Sequence, residues 1–156
     1  SAPDSTTDRV TSHATVSGTT TRRDGVTAMV DHSGDRVVTG LAKGSTQRTV
    51  NGTSAGSETL SGSNDAGAFT ATRVLGDTTV ALVVPVQSGR PSYPTGGTVT
   101  RSMRATLTRG GTTTTRSRRE VITFDGSATA SLVITEDGVT RTCTVPLPHG
   151  RPTCSS

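Results

Sequence analysis

Hydrophobic and polar positions alternate most clearly in the last third of the chain. Between Thr98 and Leu107, Val99, Met103, Ala105 and Leu107 fall on one parity, and Thr98, Thr100, Ser102, Arg104 and Thr106 on the other. A period of two places these sets on opposite faces of a β-strand. Arg101 sits among the apolar positions, so that face is only partly covered. Gly110-Gly111 follows and suits a two-residue hairpin. The return strand runs from Thr112 to Phe124 and ends at the hairpin signal Asp125-Gly126. Ala128, Ala130, Leu132 and Ile134 share one parity of the next strand, and Asp137-Gly138 turns the chain again. Val139, Arg141, Cys143, Val145 and Leu147 then share a face. Pro146 and Pro148 end the pairing, because proline has no N–H for a ladder.

The earlier chain carries weaker signals of the same kind. Short strands are predicted over Arg9–Ser17, Val26–Val30, Arg36–Ala42, Gln47–Val50 and Thr53–Leu60. Turns are predicted at Arg23-Asp24-Gly25, over Asp31–Asp35 and at Asn51-Gly52, with a loop over Gly62–Gly67. Thr79–Val86 is apolar on both parities, which predicts a strand buried on both faces or a subunit contact. Gln87–Gly97 is the longest predicted loop and divides the chain into halves.

Composition sharpens this picture. Of the apolar residues, 17 are Val against 7 Leu and 2 Ile, and 33 residues are Thr. Valine and threonine are β-branched and favour strands over helices. The expected fold is all-β: an antiparallel β-sandwich or barrel-like meander of short hairpins. Cys143 and Cys154, the only cysteines, are expected to form a disulfide that pins the C-terminus. Two cysteines without C-x-x-C spacing do not make a zinc site. Residues 1–17 read as an N-terminal extension or donor strand, and residues 18–156 as one domain.

The net charge of +4 comes with 15 Arg and a single Lys, Lys43. No apolar run is long enough for a membrane-spanning helix. With no Trp, one Tyr and two Phe, the chain also lacks the aromatic girdles of transmembrane barrels. Ser1-Ala2-Pro3-Asp4 resembles a mature end left by signal removal, and the cysteine pair fits an oxidising compartment, so a secreted or cell-surface protein is expected.

Candidate chemistry is sparse. Gly52-Thr53-Ser54-Ala55-Gly56 matches G-x-S-x-G, but a nucleophile elbow needs a helix after it, and a strand-like stretch follows here. Asp31, His32 and Ser33 are adjacent, so alternation turns them away from one another; His13, His32 and His149 read as exposed turn histidines. Asp31–Asp35 and Ser63–Asp65 are acidic enough for calcium but match no calcium loop. No catalytic residue, cofactor or metal site is assigned. Asn51-Gly52-Thr53 is a glycosylation sequon. Arg104, Arg109, Arg116, Arg118 and Arg119 form the densest basic cluster, and parity suggests one face for Arg104, Arg116 and Arg118. A polysaccharide or other polyanion is the natural ligand for such a patch. The scarcity of stacking aromatics excludes single-stranded nucleic acid as the expected partner.

The expectation is a non-enzymatic secreted structural protein. Its subunits would join into a filament or surface layer by strand addition, the segment Asp4–Ser17 pairing with an open sheet edge of the next subunit and Val80–Val86 lining the receiving groove. The alternative is a monomeric module that binds a polyanion or polysaccharide through the Gln87–Gly97 loop and its Tyr93.

Overall fold

A computed structural model describes residues 6–86 and 93–155. The tip of the Gln87–Gly97 loop and the first five residues, including the start of the Asp4–Ser17 segment, lie outside the described residues. Among the described residues nine strands follow one another: β1 (Arg9–Thr21), β2 (Thr27–Thr39), β3 (Gln47–Asn64), β4 (Gly67–Pro85), β5 (Gly96–Arg109), β6 (Thr112–Thr123), β7 (Thr129–Glu136), β8 (Val139–Pro146) and β9 (Thr153–Cys154). Each pairs antiparallel with the next, and together they form one open sheet in the order β1 to β9.

The all-β antiparallel meander and its C-terminal disulfide are therefore present, with Cys143 and Cys154 directly opposite in register. The strands are not short: the first six run from 12 to 19 residues. Two expected turns are strand interiors instead. Asp31–Asp35 lies inside β2, where every residue pairs with β1 on one side and β3 on the other. Asn51-Gly52 lies inside β3. Local turn propensity of Asp, Asn and Gly is worth less than a full ladder of backbone bonds on both sides, so the long-range pairing prevails. The boundary drawn after Ser17 falls within β1, which pairs with β2 of the same chain along its whole length. Just before it, Asp8 fixes the chain to the β2–β3 connection by accepting N–H bonds from Leu41 and Ala42.

Several turns lie where the glycines predicted them. Gly110-Gly111 joins β5 to β6 with both φ angles positive, and Asp137-Gly138 does the same between β7 and β8. Such two-residue turns match the right-handed twist of the strands they connect.

One irregularity interrupts the ladder. Pairing of β4 slips against β3 at Val50/Gly52 and against β5 between Val80 and Val83. The extra residue is Ala81, at φ 47°. Its N–H donates to the Asn51 Oδ1 at 2.7 Å. Gly97, at φ 101°, faces this bulge, and a Cβ there would collide with the backbone of Ala81 and Leu82. A β-bulge bends its strand and increases twist. Here one asparagine amide and one glycine hold it. Gly97→Ala is therefore expected to cost about 1–3 kcal/mol, from forced positive φ and the backbone collision, as read by urea unfolding.

The core is small and lies at one end. Leu132, Ile134 and Cys143 are buried, with Ile122 and Val145 packed against them. Ala28 and Ala130 complete the buried apolar residues. The Thr79–Val86 run is not buried within the chain: Val80 is 52% and Val86 44% exposed. The disulfide pins β9 beside this core. Closing a loop of this length stabilises by about 3 kcal/mol in the chain-entropy model, so Cys154→Ser should lower the denaturation midpoint by a corresponding amount, and adding reductant should bring the native protein to the same value.

Candidate interaction surface

Register decides which side chains share a face. On β1 to β3 the even-numbered residues share one: Val10, Val38 and Val50 form one cross-strand row, Ala28 and Leu60 another. The β3–β4 register carries this face to odd positions on β4 and β5, pairing Leu60 with Ala71 and Ala71 with Leu107. After the bulge Leu82 joins it opposite Val50. It continues through Val99, Ile122, Leu132 and Cys143. We call this the apolar face.

The other face is hydroxylated. One row crosses six strands as Thr21, Thr27, Ser61, Thr70, Thr108 and Thr113. Beside it Thr59, Thr72, Thr106 and Thr115 form a row across four. Thr–Thr hydroxyl bonds of 3.0 to 3.5 Å link Thr21 to Thr27, Thr59 to Thr72, Thr106 to Thr115 and Thr108 to Thr113. Such cross-strand pairs contribute roughly 0.2–1 kcal/mol each and help fix register.

Six charges of the apolar face are paired within it, whereas Arg36, Arg48, Glu58, Arg73 and Arg109 of the same face have no ion pair among the described residues. Asp77 approaches Arg101 at 3.7 Å, and Arg101 stands opposite Glu120. Arg118 donates two bonds to Glu120, at 2.7 and 2.8 Å, and lies 3.7 Å from Glu136. Glu136 in turn accepts from Arg141 at 3.1 Å. The signs alternate across β4 to β8.

This geometry divides the expected arginine patch. Arg104 pairs with Ser117 and Arg119 with Ser102, on the hydroxylated face. Arg116 and Arg118 stand opposite Ala105 and Met103, on the apolar face, with Arg109. Arg104 therefore does not share a face with Arg116 and Arg118, contrary to the parity reading, because pairing partners and not residue numbers set the face. Arg109 lies over the Phe69 ring at 5.7 Å.

Asp137 makes the densest polar contact. It accepts from the Ser117 N–H at 2.7 Å and from Arg116 Nη1 at 2.8 Å. The Arg116 hydrogen bond, followed by that of the Ser117 backbone, holds the Asp137 carboxyl below the usual carboxylate range, and Asp137 raises the Arg116 guanidinium. The contact seats the β7–β8 turn on the side of β6. A carboxyl lowered in the folded state contributes stability above its unfolded pKa and loses it as pH falls through the folded value. Acidification below about pH 4 should weaken this clamp. In Asp137→Asn, the unfolding midpoint should depend less steeply on pH in that acid range than it does in the native chain.

The candidate catalytic motif is a strand interior. Ser54 lies mid-β3, with further strand after it and no helix. It donates to Asp77 Oδ2 at 3.4 Å. Ser54, Asp77 and His32 line one shallow depression of about 300 Å³. The His32 ring lies across Gly56, so close that a Cβ there would strike Nδ1. The serine hydroxyl is thus bonded to a carboxylate, whereas a nucleophilic triad places the imidazole between the two. His13 and His32 are strand residues, not turn residues; His13 Nδ1 bonds Asp35 Oδ1 at 2.8 Å across β1–β2. Among the described residues no three His, Cys, Asp or Glu come together in a metal-binding group. In the Ser63–Asp65 segment Asn64 Oδ1 caps the N–H of Ala66 in the tight turn between β3 and β4. Asn51, the sequon asparagine, uses its amide oxygen on the bulge.

The edges of the sheet are unequal. Among the described residues nothing pairs with the outer edge of β1 along its 13 residues, which include neither proline nor an acidic residue. The other edge is covered at one end. β9 pairs with Cys143 and Thr144, Ser155 N–H bonds Thr142 O, and Pro146 ends β8. Sequence reasoning missed this asymmetry, and the residues of the apolar face as a set, because both depend on strand order and register. Compared with protein-family models, curated proteins and solved structures, the chain matches none.

Proposed function

We propose that this chain is a structural subunit of an oxidising, extracellular-type compartment that assembles with copies of itself by strand addition at the β1 edge. One observation carries the reading: among the described residues nothing pairs with the outer edge of β1, which offers a long row of backbone donors and acceptors and lacks the usual protections. Edge strands of monomers are commonly blunted by lysine, proline, bulges or a covering loop. β1 has none of these, and its only permanently charged residue is Arg9 at one end. The far edge, by contrast, is shorter, ends at Pro146 and is covered beside Cys143 by β9 and its disulfide. The contrast favours pairing of β1 with β1 of a second copy, antiparallel about a two-fold axis, over head-to-tail pairing of β1 with β8. The disulfide supports an oxidising environment, and no helix is long and apolar enough to cross a membrane. The polyanion reading draws less support, because the five arginines divide between two faces and Arg116 and Arg118 are already paired with carboxylates.

Thr15 is the central residue of β1. In a two-fold β1–β1 pair centred there, Thr15→Lys places like charges directly opposite, which destabilises cross-strand pairing. The variant should keep the native β-sheet circular dichroism and sediment as a smaller species than the native protein. Unchanged sedimentation across micromolar concentrations would sink the edge-pairing proposal.

A further inference from the structure

We infer that the apolar face is an interface in its own right, and that its occupant is the same face of a second copy of this chain. The inference rests on the self-assembly reading but concerns a different surface from the β1 edge.

Area comes first. The chain exposes 10439 Å². A folded monomer of 15.9 kDa is expected to expose about 7,400 Å². The excess, about 3,000 Å², follows from a sheet one layer thick. Sheets bury their apolar faces against a second layer about 10 Å away, and the described residues of one chain supply no such layer. Eight strands about 4.8 Å apart, averaging about 40 Å in length, present roughly 1,400 Å² per face. Covering that face on both partners would hide roughly 2,800 Å², within the range of obligate homodimers.

Chemistry separates the two faces. Leu60, Leu75, Met103 and Leu107 project on the apolar side, whereas the other is mainly threonine and serine. Leu107 remains 41% exposed. Beside it lies a mainly apolar depression of about 510 Å³, lined by Leu60, Ala71 and Ala105 together with Glu58, Arg73 and Arg116, where the two alanines leave room for an incoming side chain.

Charge then selects the occupant. A purely apolar ligand would bury the ions of this face without adding partners. A second copy brings the same alternating sequence of Asp77, Arg101, Glu120, Arg118, Glu136 and Arg141, and an alternating pattern is complementary to itself when turned about a two-fold axis. These six ions are already paired within each sheet, and Glu58 stands opposite Arg73 in register; Arg36, Arg48 and Arg109 of the same face have no ion pair among the described residues, and a second copy can offer them carboxylates where an apolar ligand cannot.

The test reads mass by analytical ultracentrifugation in the Thr15→Lys background, where the edge contact is removed. The expected species is a dimer. Adding Leu107→Arg should halve its mass, and adding Val74→Arg should not, because Val74 is 49% exposed on the opposite face. Leu75→Lys provides a second apolar-face variant, and circular dichroism of each confirms the sheet. If Leu107→Arg and Leu75→Lys both keep the dimer, or if the Thr15→Lys protein is already a monomer, the inference is wrong. Recovery of that monomer with co-purified acyl chains would identify a lipid as the occupant instead. If Thr15→Lys fails to alter the native assembly, the edge proposal fails, and the response to Leu107→Arg still decides the face.

Discussion

A sheet one layer thick can bury a side chain only beneath its own neighbours, and the rest of this structure depends on that constraint. Backbone groups are satisfied strand to strand, so the meander is well bonded. Side chains have no such provision. They are buried chiefly around Leu132, Ile134 and Cys143, where Ile122 and Val145 crowd in and β9 closes the edge. Elsewhere most positions remain partly exposed. The composition suits this arrangement. Threonine adopts the strand conformation as readily as valine, and its hydroxyl tolerates water on one side and a neighbouring threonine on the other. A chain with few leucines and many threonines can therefore hold long strands without a thick core, but only while register stays fixed.

Register is fixed by a few specific groups. Thr–Thr hydroxyl bonds mark it across β1–β2, β3–β4 and β5–β6. Ion pairs mark it across β4–β5, β6–β7 and β7–β8. Asn51 and Gly97 hold the one slip in the pattern. That slip matters beyond its own strand, because a bulge lets Thr79 and Leu82 lie on the same face although three residues apart. Without it, the apolar positions at the end of β4 would turn towards the threonine side.

Much of the fold was legible in the sequence. Alternation from Thr98 to Leu147, the Gly110-Gly111 and Asp137-Gly138 turns and the cysteine pair all describe what the chain does locally, and local signals suffice for hairpins. The first half was harder. Asp31–Asp35 and Asn51-Gly52 have turn chemistry, yet they sit mid-strand because the flanking segments pair over their full length. The candidate surface was least legible. Leu60 and Leu107 are 47 positions apart in sequence and share a row only through Ala71 between them. Parity within a strand says which residues travel together, but says nothing about which parity of one strand meets which of the next. The arginine cluster shows the same limit, since Arg104 and Arg116 are both even and face opposite ways.

The short β9 strand has a consequence for the β8 edge. It comprises two residues, one of them Cys154, and it is the last strand of the chain. Two residues make too small a ladder to stay docked on their own, so the covalent bond to Cys143 does most of the holding. Without that bond the β8 edge would lose the cover that β9 gives to Cys143 and Thr144, although Pro146 and its shorter length still set it apart from β1. In a reducing environment more of the β8 backbone lies open, whereas oxidation covers its end beside Cys143. The redox state of one thiol pair thereby decides how much of that edge is left to water.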